Sequence, residues 1–97
     1  MALTMTRTRT QTALTRLAKL LANLKGELEF VDGLLERLPS DRVALTIRRG
    51  SLMASRDAVA ATLRQFDPEL EVDAVKAAQI RRTRRAVQRY VAALTQQ

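Results

Sequence analysis

The chain has no cysteine and no histidine. The first absence excludes disulfides and thiolate zinc sites. The second removes the commonest general base and the commonest metal ligand together. Aromatic residues number three, Phe30, Phe66 and Tyr90, with no tryptophan. A core must therefore be built from Leu, Ala and Val, which suits helix against helix better than sheet against sheet. Glycine (three) and proline (two) are scarce, so few loops are available. No run approaches the roughly 18 apolar residues of a membrane span. Acidic residues are in the minority, ten against 17 Lys and Arg, giving a net charge of +7. That balance favours polyanionic partners: nucleic acid, an acidic protein or an anionic membrane surface.

What is present is first of all a leucine seam. Leu14, Leu17, Leu21, Leu24, Leu28, Val31, Leu35 and Leu38 follow one another at alternating steps of three and four. This predicts a helix over 12–38 that packs along its whole length against another helix, within the chain or in an oligomer. Ala13, Ala18, Leu20 and Leu34 flank the seam and make the apolar face wider than a two-stranded zipper needs. Ala22, Gly26 and Gly33 form a strip of small residues beside it. Such a strip admits a close helix neighbour or a nucleic-acid backbone, or is simply tolerated at the surface.

Two punctuations divide the rest. Pro39-Ser40-Asp41 ends the first helix and offers an N-cap to a second, expected over 41–65. In that helix Leu45, Leu52, Val59 and Phe66 repeat at seven. Ile47, Ala54, Ala58, Ala61 and Leu63 are expected to widen the same face. Gly50-Ser51 is a possible bend. Phe66-Asp67-Pro68 is the second stop. It opens an acidic turn whose Leu70, Val72 and Val75 are expected to tuck onto the hairpin. Pro68 and Leu70 deny that turn the spacing of a calcium loop. A third helix is expected over 73–95, capped by Asp73, with Ile80, Thr83, Val87, Tyr90 and Leu94 as its apolar row. The predicted fold is all-α: an antiparallel coiled-coil-like hairpin plus a basic C-terminal helix in one domain spanning 1–97.

Charge supports the antiparallel arrangement. Residues 1–25 carry +5, 26–41 carry −4, 42–66 carry +4, 67–73 carry −4 and 74–97 carry +6. Folding at Pro39 sets the 27–36 acids beside Arg42, Arg48 and Arg49, and the 67–71 acids near Arg7 and Arg9. Each exposed pair contributes only about 0.2–1 kcal/mol, but together they select an orientation.

The candidate binding residues are basic. Arg81, Arg82, Arg84, Arg85 and Arg89 fall within nine residues, and 74–97 contains no acid. Five guanidinium groups without local neutralisation point to phosphate, which the planar fork of Arg binds through two oxygens. The alternatives are a solvated helix face or pairing with acids elsewhere. Arg7 and Arg9 sit in a Thr/Arg-rich stretch, 1–11, expected to be a frayed basic arm capped into the first helix by Thr10 or Thr12. It either contacts phosphate or is a solvated terminus. Residues 1–25 superficially resemble a mitochondrial presequence, but cleavage there would cut the seam. A cytoplasmic protein is expected.

The phrase Ala60-Ala61-Thr62-Leu63-Arg64-Gln65-Phe66-Asp67-Pro68-Glu69-Leu70-Glu71, followed by Asp73-Ala74-Val75-Lys76, resembles a family of small uncharacterised bacterial proteins. These carry a helical-hairpin coiled coil ending in an "ATLRxFDP" phrase and then a basic segment. The resemblance is close over 60–76 and extends in outline over 12–85. It implies an association with mobile elements such as plasmids, and implies no catalytic residues. The basic segment here departs from the family's proline-containing form by reading as a helix.

No arrangement of carboxylates with a nucleophile or metal partner marks an enzyme, and no cofactor or metal is implied. The expectation is a non-enzymatic basic binding module. It is read as a DNA-associated accessory or regulatory protein of a mobile element, a homodimer acting through phosphate contacts. The alternative is a protein–protein adaptor, a coiled-coil partner, antitoxin-like protein or inhibitor, that binds an acidic protein and no nucleic acid. A weaker third option is a membrane-surface helix in 1–25.

Overall fold

The structure is a computed structural model and describes residues 9–96. It is all-α. Helix α1 spans Arg9–Arg37, α2 spans Arg42–Phe66 and α3 spans Arg84–Thr95. The molecule is a rod of 58 × 24 × 24 Å.

The hairpin follows from the seam and the first proline. The amide of Leu38 still bonds to Leu34 O at 2.8 Å. Pro39 then forces a 3-10 turn, Pro39–Asp41, and α2 departs antiparallel to α1. Asp41 occupies the N-cap position without a side-chain cap bond. Gly50 does not interrupt α2. At the other end the amide of Asp67 closes α2 on Leu63 O (3.0 Å), and Pro68 prevents continuation. Asp67 Oδ1 accepts from the amide of Glu69 at 3.1 Å, a local bond that shapes the acidic turn.

Two apolar clusters lie along the rod. Near the Pro39 turn, Leu28, Phe30, Val31, Leu34, Leu45 and Leu52 are buried, with Ile80, Val87, Tyr90, Val91 and Leu94 laid over them. At the far end Leu21, Ala60, Leu63 and Val72 are buried under Leu70 and Val75. Each fully buried Leu contributes about 1.5–3 kcal/mol relative to exposure. Of the predicted seam, Leu21, Leu28 and Val31 are buried, while Leu14, Leu17, Leu24, Leu35 and Leu38 are half-buried against the clusters. The width of α1's apolar face is used by the chain itself: one side meets α2, and the other meets the segment that returns from the acidic turn.

Four expectations are corrected. Helix α1 already includes Arg9, Thr10 and Gln11, so neither Thr10 nor Thr12 is its cap. Residues 1–8, including Arg7, lie outside the described residues. Asp73 belongs to a 3-10 turn, Val72–Ala74, and does not start a helix. Residues 75–83 are extended or irregular, so Arg81 and Arg82 are not helical, and Thr83 is the N-cap of a much shorter α3. The reason is reach. Nine extended residues cover about 30 Å, whereas the same residues as helix cover about 14 Å. Only the extended form spans the stretch of α1 from Leu21 to Leu34 that needs covering. Finally, Ile47, Ala54, Ala58 and Ala61 do not widen the core face of α2. All four are exposed on the side opposite Leu45, Leu52 and Leu63.

Candidate polyanion-binding surface and its anchors

The basic end of the chain is positioned by three attachments. The first is the strap, residues 75–83. The amide of Ala78 donates to Ala22 O at 2.8 Å. Directly beneath, Gly26 is buried, and a Cβ there would overlap the carbonyl of Ala78 and lie 2.9 Å from its carbon. The small strip of α1 thus admits the chain's own backbone. Gly33 has nothing within 4 Å of such a Cβ and takes no part.

The second attachment is Lys25. Its ammonium donates to Val72 O and Val75 O, both at 2.8 Å. It therefore satisfies two carbonyls where the 3-10 turn gives way to the strap, and is occupied there rather than free to meet phosphate.

The third joins all three helices. Arg48 on α2 grips Glu27 on α1 with two bonds, Nε to Oε2 at 2.7 Å and Nη2 to Oε1 at 3.0 Å. The hydroxyl of Tyr90 on α3 donates to the same Oε2. The Tyr90 ring packs edge-on to Phe30, with centroids 4.9 Å apart and planes at 84°. Burial alone would raise the Glu27 carboxyl, but the bonds from Arg48 and Tyr90 outweigh it and hold the group below its ordinary value. The bond to Glu27 pushes the Arg48 guanidinium up. Burial first, and then the carboxylate beside it, pushes the Tyr90 hydroxyl up. A second cross-hairpin pair, Arg49 Nε to Asp32 Oδ1 at 2.6 Å, is more exposed. Arg48 and Arg49 thus meet the acids expected of an antiparallel hairpin. Among the described residues, Arg42 has no ion pair, and neither does Arg9 with the acidic turn.

These anchors present the arginines. Thr83 Oγ1 accepts from the amide of Ala86 at 3.2 Å and starts α3. Its first turn contains Arg84 and Arg85 and no acid. Val87, Tyr90, Val91 and Leu94 face the hairpin, which leaves Arg85 and Arg89, four apart, on the outer face. Arg81 and Arg82 precede the cap on the strap. All five are exposed, and among the described residues none forms an ion pair. The helix N-terminus adds its partial positive charge to theirs. Arg9 is elsewhere. Twenty-five helical residues, about 38 Å, separate it from Leu34, beside which α3 begins. It lies near Phe66, at the end of α2 opposite the Pro39 turn.

The Glu27–Tyr90 bond and the Lys25 clip escaped sequence reasoning. A lone tyrosine in an apolar row was the one available signal, since a buried hydroxyl needs a partner. For Lys25 there was none, because the carbonyls it binds become free only in the folded turn. Among the described residues no group of His, Cys, Asp or Glu is arranged to hold a metal ion. No described helix is long and apolar enough to cross a membrane.

The class these features define is an all-helical hairpin with a strapped, arginine-rich C-terminal helix. No family model matches the chain, and neither a curated protein nor a solved structure shows significant similarity to it.

Proposed function

We propose that the protein is a non-enzymatic DNA-associated accessory or regulatory protein that docks on the phosphate backbone. The supporting observation is the cluster Arg81, Arg82, Arg84, Arg85 and Arg89, exposed and without ion-pair partners among the described residues. Anchored elements hold these groups in place, so less side-chain and backbone freedom is lost on binding. No aromatic side chain is exposed among the five, and Gln88 is a lone amide beside them, so the reading is backbone contact without base readout. The resemblance at 60–76 is what supports a place beside mobile elements. The test is fluorescence anisotropy with a labelled duplex against salt. Binding at about 50 mM salt that falls steeply by about 200 mM is expected, with loss in R81Q/R82Q/R84Q/R85Q. Absence of binding at the lower salt overturns the reading.

A second reading, a protein–protein adaptor or homodimer, has its own observation. Val43 and Ile47 are 76% and 70% exposed. With Gly50, Ala54, Ala58 and Ala61 they make an uncharged row along the outer side of α2. Solvent faces of helices ordinarily carry charge. An antiparallel second copy of α2 would set Val43 and Ile47 against the small residues at 58 and 61 of its partner. Light scattering decides it: a dimer that I47E converts to monomer supports this reading, and a monomeric parent rejects self-association.

A further inference from the structure

Where α3 crosses the end of α1, a cleft of about 700 Å³ opens to solvent. Its floor is Leu34, which is 1% exposed, with Leu38, Val87 and Val91 as half-buried walls. All four are aliphatic, and Gln88 and Ala92 complete the lining on α3. At the mouth stand the exposed side chains of Arg37, Arg82 and Arg84, opposed by a single carboxylate, Asp41. Among the described residues, Arg37 Nε makes a long bond to Gly33 O, 3.4 Å. None of the three arginines is in an ion pair among the described residues.

We infer that this cleft binds a single-chain amphiphilic anion, an acyl chain ending in a carboxylate. The aliphatic walls would take the chain and the guanidinium groups the head. Volume and lining are those of a small-molecule site: concave, mostly apolar, with a few converging polar groups. Charge selects an anion, because three cations against one carboxylate leave a net positive mouth in which a carboxylate meets forked donors. The aliphatic lining of Leu34, Leu38, Val87 and Val91 suits an unbranched aliphatic body, with Gln88 as the one amide beside it. The half-buried walls Leu38, Val87 and Val91 leave apolar surface in contact with water, which an acyl chain would cover. The inference does not rest on the nucleic-acid reading, since its test contains no nucleic acid.

The test is calorimetric titration of the full chain with dodecanoate below its micelle concentration, with dodecyltrimethylammonium as the charge-reversed control. Saturable binding at one site is expected, at least tenfold tighter for the anion. A92W, which adds bulk to an exposed wall residue of the cleft, and R82Q/R84Q, which removes mouth charge, should each weaken dodecanoate at least tenfold. R85Q/R89Q, outside the cleft, should leave it unchanged. Circular dichroism establishes that each variant is folded, and the two arginine variants alter only exposed side chains should A92W unfold. No saturable binding of dodecanoate, equal affinity for the cation, or equal loss in R82Q/R84Q and R85Q/R89Q would overturn the assignment.

Discussion

Gly26 and Ala78 are in backbone contact: the carbonyl of Ala78 occupies the space where any other residue at position 26 would place its Cβ. The contact fixes the strap on α1 and, through it, the start of α3. G26A must therefore lift the strap and strain the bond from Ala78 to Ala22. Overpacking of this kind costs about 1–3 kcal/mol, against a gain of roughly 1 kcal/mol from replacing a helical glycine by alanine. The net expectation is destabilisation, with faster amide exchange at Ala78. G33A supplies the control. Its Cβ meets nothing within 4 Å, so it should gain up to about 1 kcal/mol of stability. Urea unfolding of both variants checks the pair. A stabilised G26A would mean the strap is not held there.

The bonds of Glu27 to Arg48 and Tyr90 predict how stability responds to pH. The folded-state carboxyl of Glu27 lies below its ordinary value of 4.5, so its contribution is present above that value and fades as pH falls beneath it. The Tyr90 hydroxyl is raised above its ordinary value of 10.0, so its contribution is complete below pH 10.0 and fades as pH rises beyond. Thermal unfolding should thus show a plateau that declines at both ends. Y90F should flatten the alkaline decline and lower the plateau, since it removes a donor to a part-buried carboxylate. E27Q should flatten the acid decline and destabilise by more than Y90F, because it leaves Arg48 without its bidentate partner. An unchanged alkaline limb in Y90F counts against the network.

The hairpin was legible because three signals agreed: the leucine spacing of 14–38, the Pro39 stop and the alternating charge blocks. Helix α3 was half legible. The run from Val75 to Thr83 has no glycine or proline, and its alanines and Ile80 fit a helical period. What overrides that propensity is tertiary: the need to cover about 20 Å of α1 between Leu21 and Leu34, and a glycine on α1 that lets backbone come close. Neither is written in the segment that changes conformation. The two faces of α2 failed for a related reason. Ile47, Ala54, Ala58 and Ala61 are as apolar as core residues, and heptad counting does not separate a second stripe from a broad one.

Lys25 tests whether the acidic turn is held by a charge or only by Val72 and Val75. K25M keeps the aliphatic stem and removes the two charge-assisted bonds to Val72 O and Val75 O. Bonds to charged groups contribute about 1.5–3 kcal/mol each, net of the water they replace. Both bonds are part-buried and share one ammonium, so a loss of about 1–3 kcal/mol is expected. Hydrogen exchange should quicken at Ala74 and Val75, whose amides close the 3-10 turn, while Leu45 and Leu52 keep their protection. Uniform loss of protection would instead make Lys25 part of the global core.

The arginines differ in what they can reach, and the salt dependence of DNA binding should separate them. Each phosphate neutralised on duplex DNA contributes about 0.9 to the slope of log affinity against log salt. Arg85 and Arg89 share the outer face of α3, so R85Q/R89Q should lower the slope by about 2, nearly equally for unrelated sequences. Arg9 lies about 38 Å along α1 from the α3 end, farther than the Debye length of roughly 8–10 Å at physiological salt. R9Q should therefore leave the slope unchanged on a duplex of a single helical turn, and lower it by about 1 only on DNA long enough to lie along the rod. Measured on short and long duplexes, the two variants separate a surface confined to α3 from one that runs the length of the hairpin. If R85Q/R89Q leaves the slope intact on both, DNA is not bound through α3.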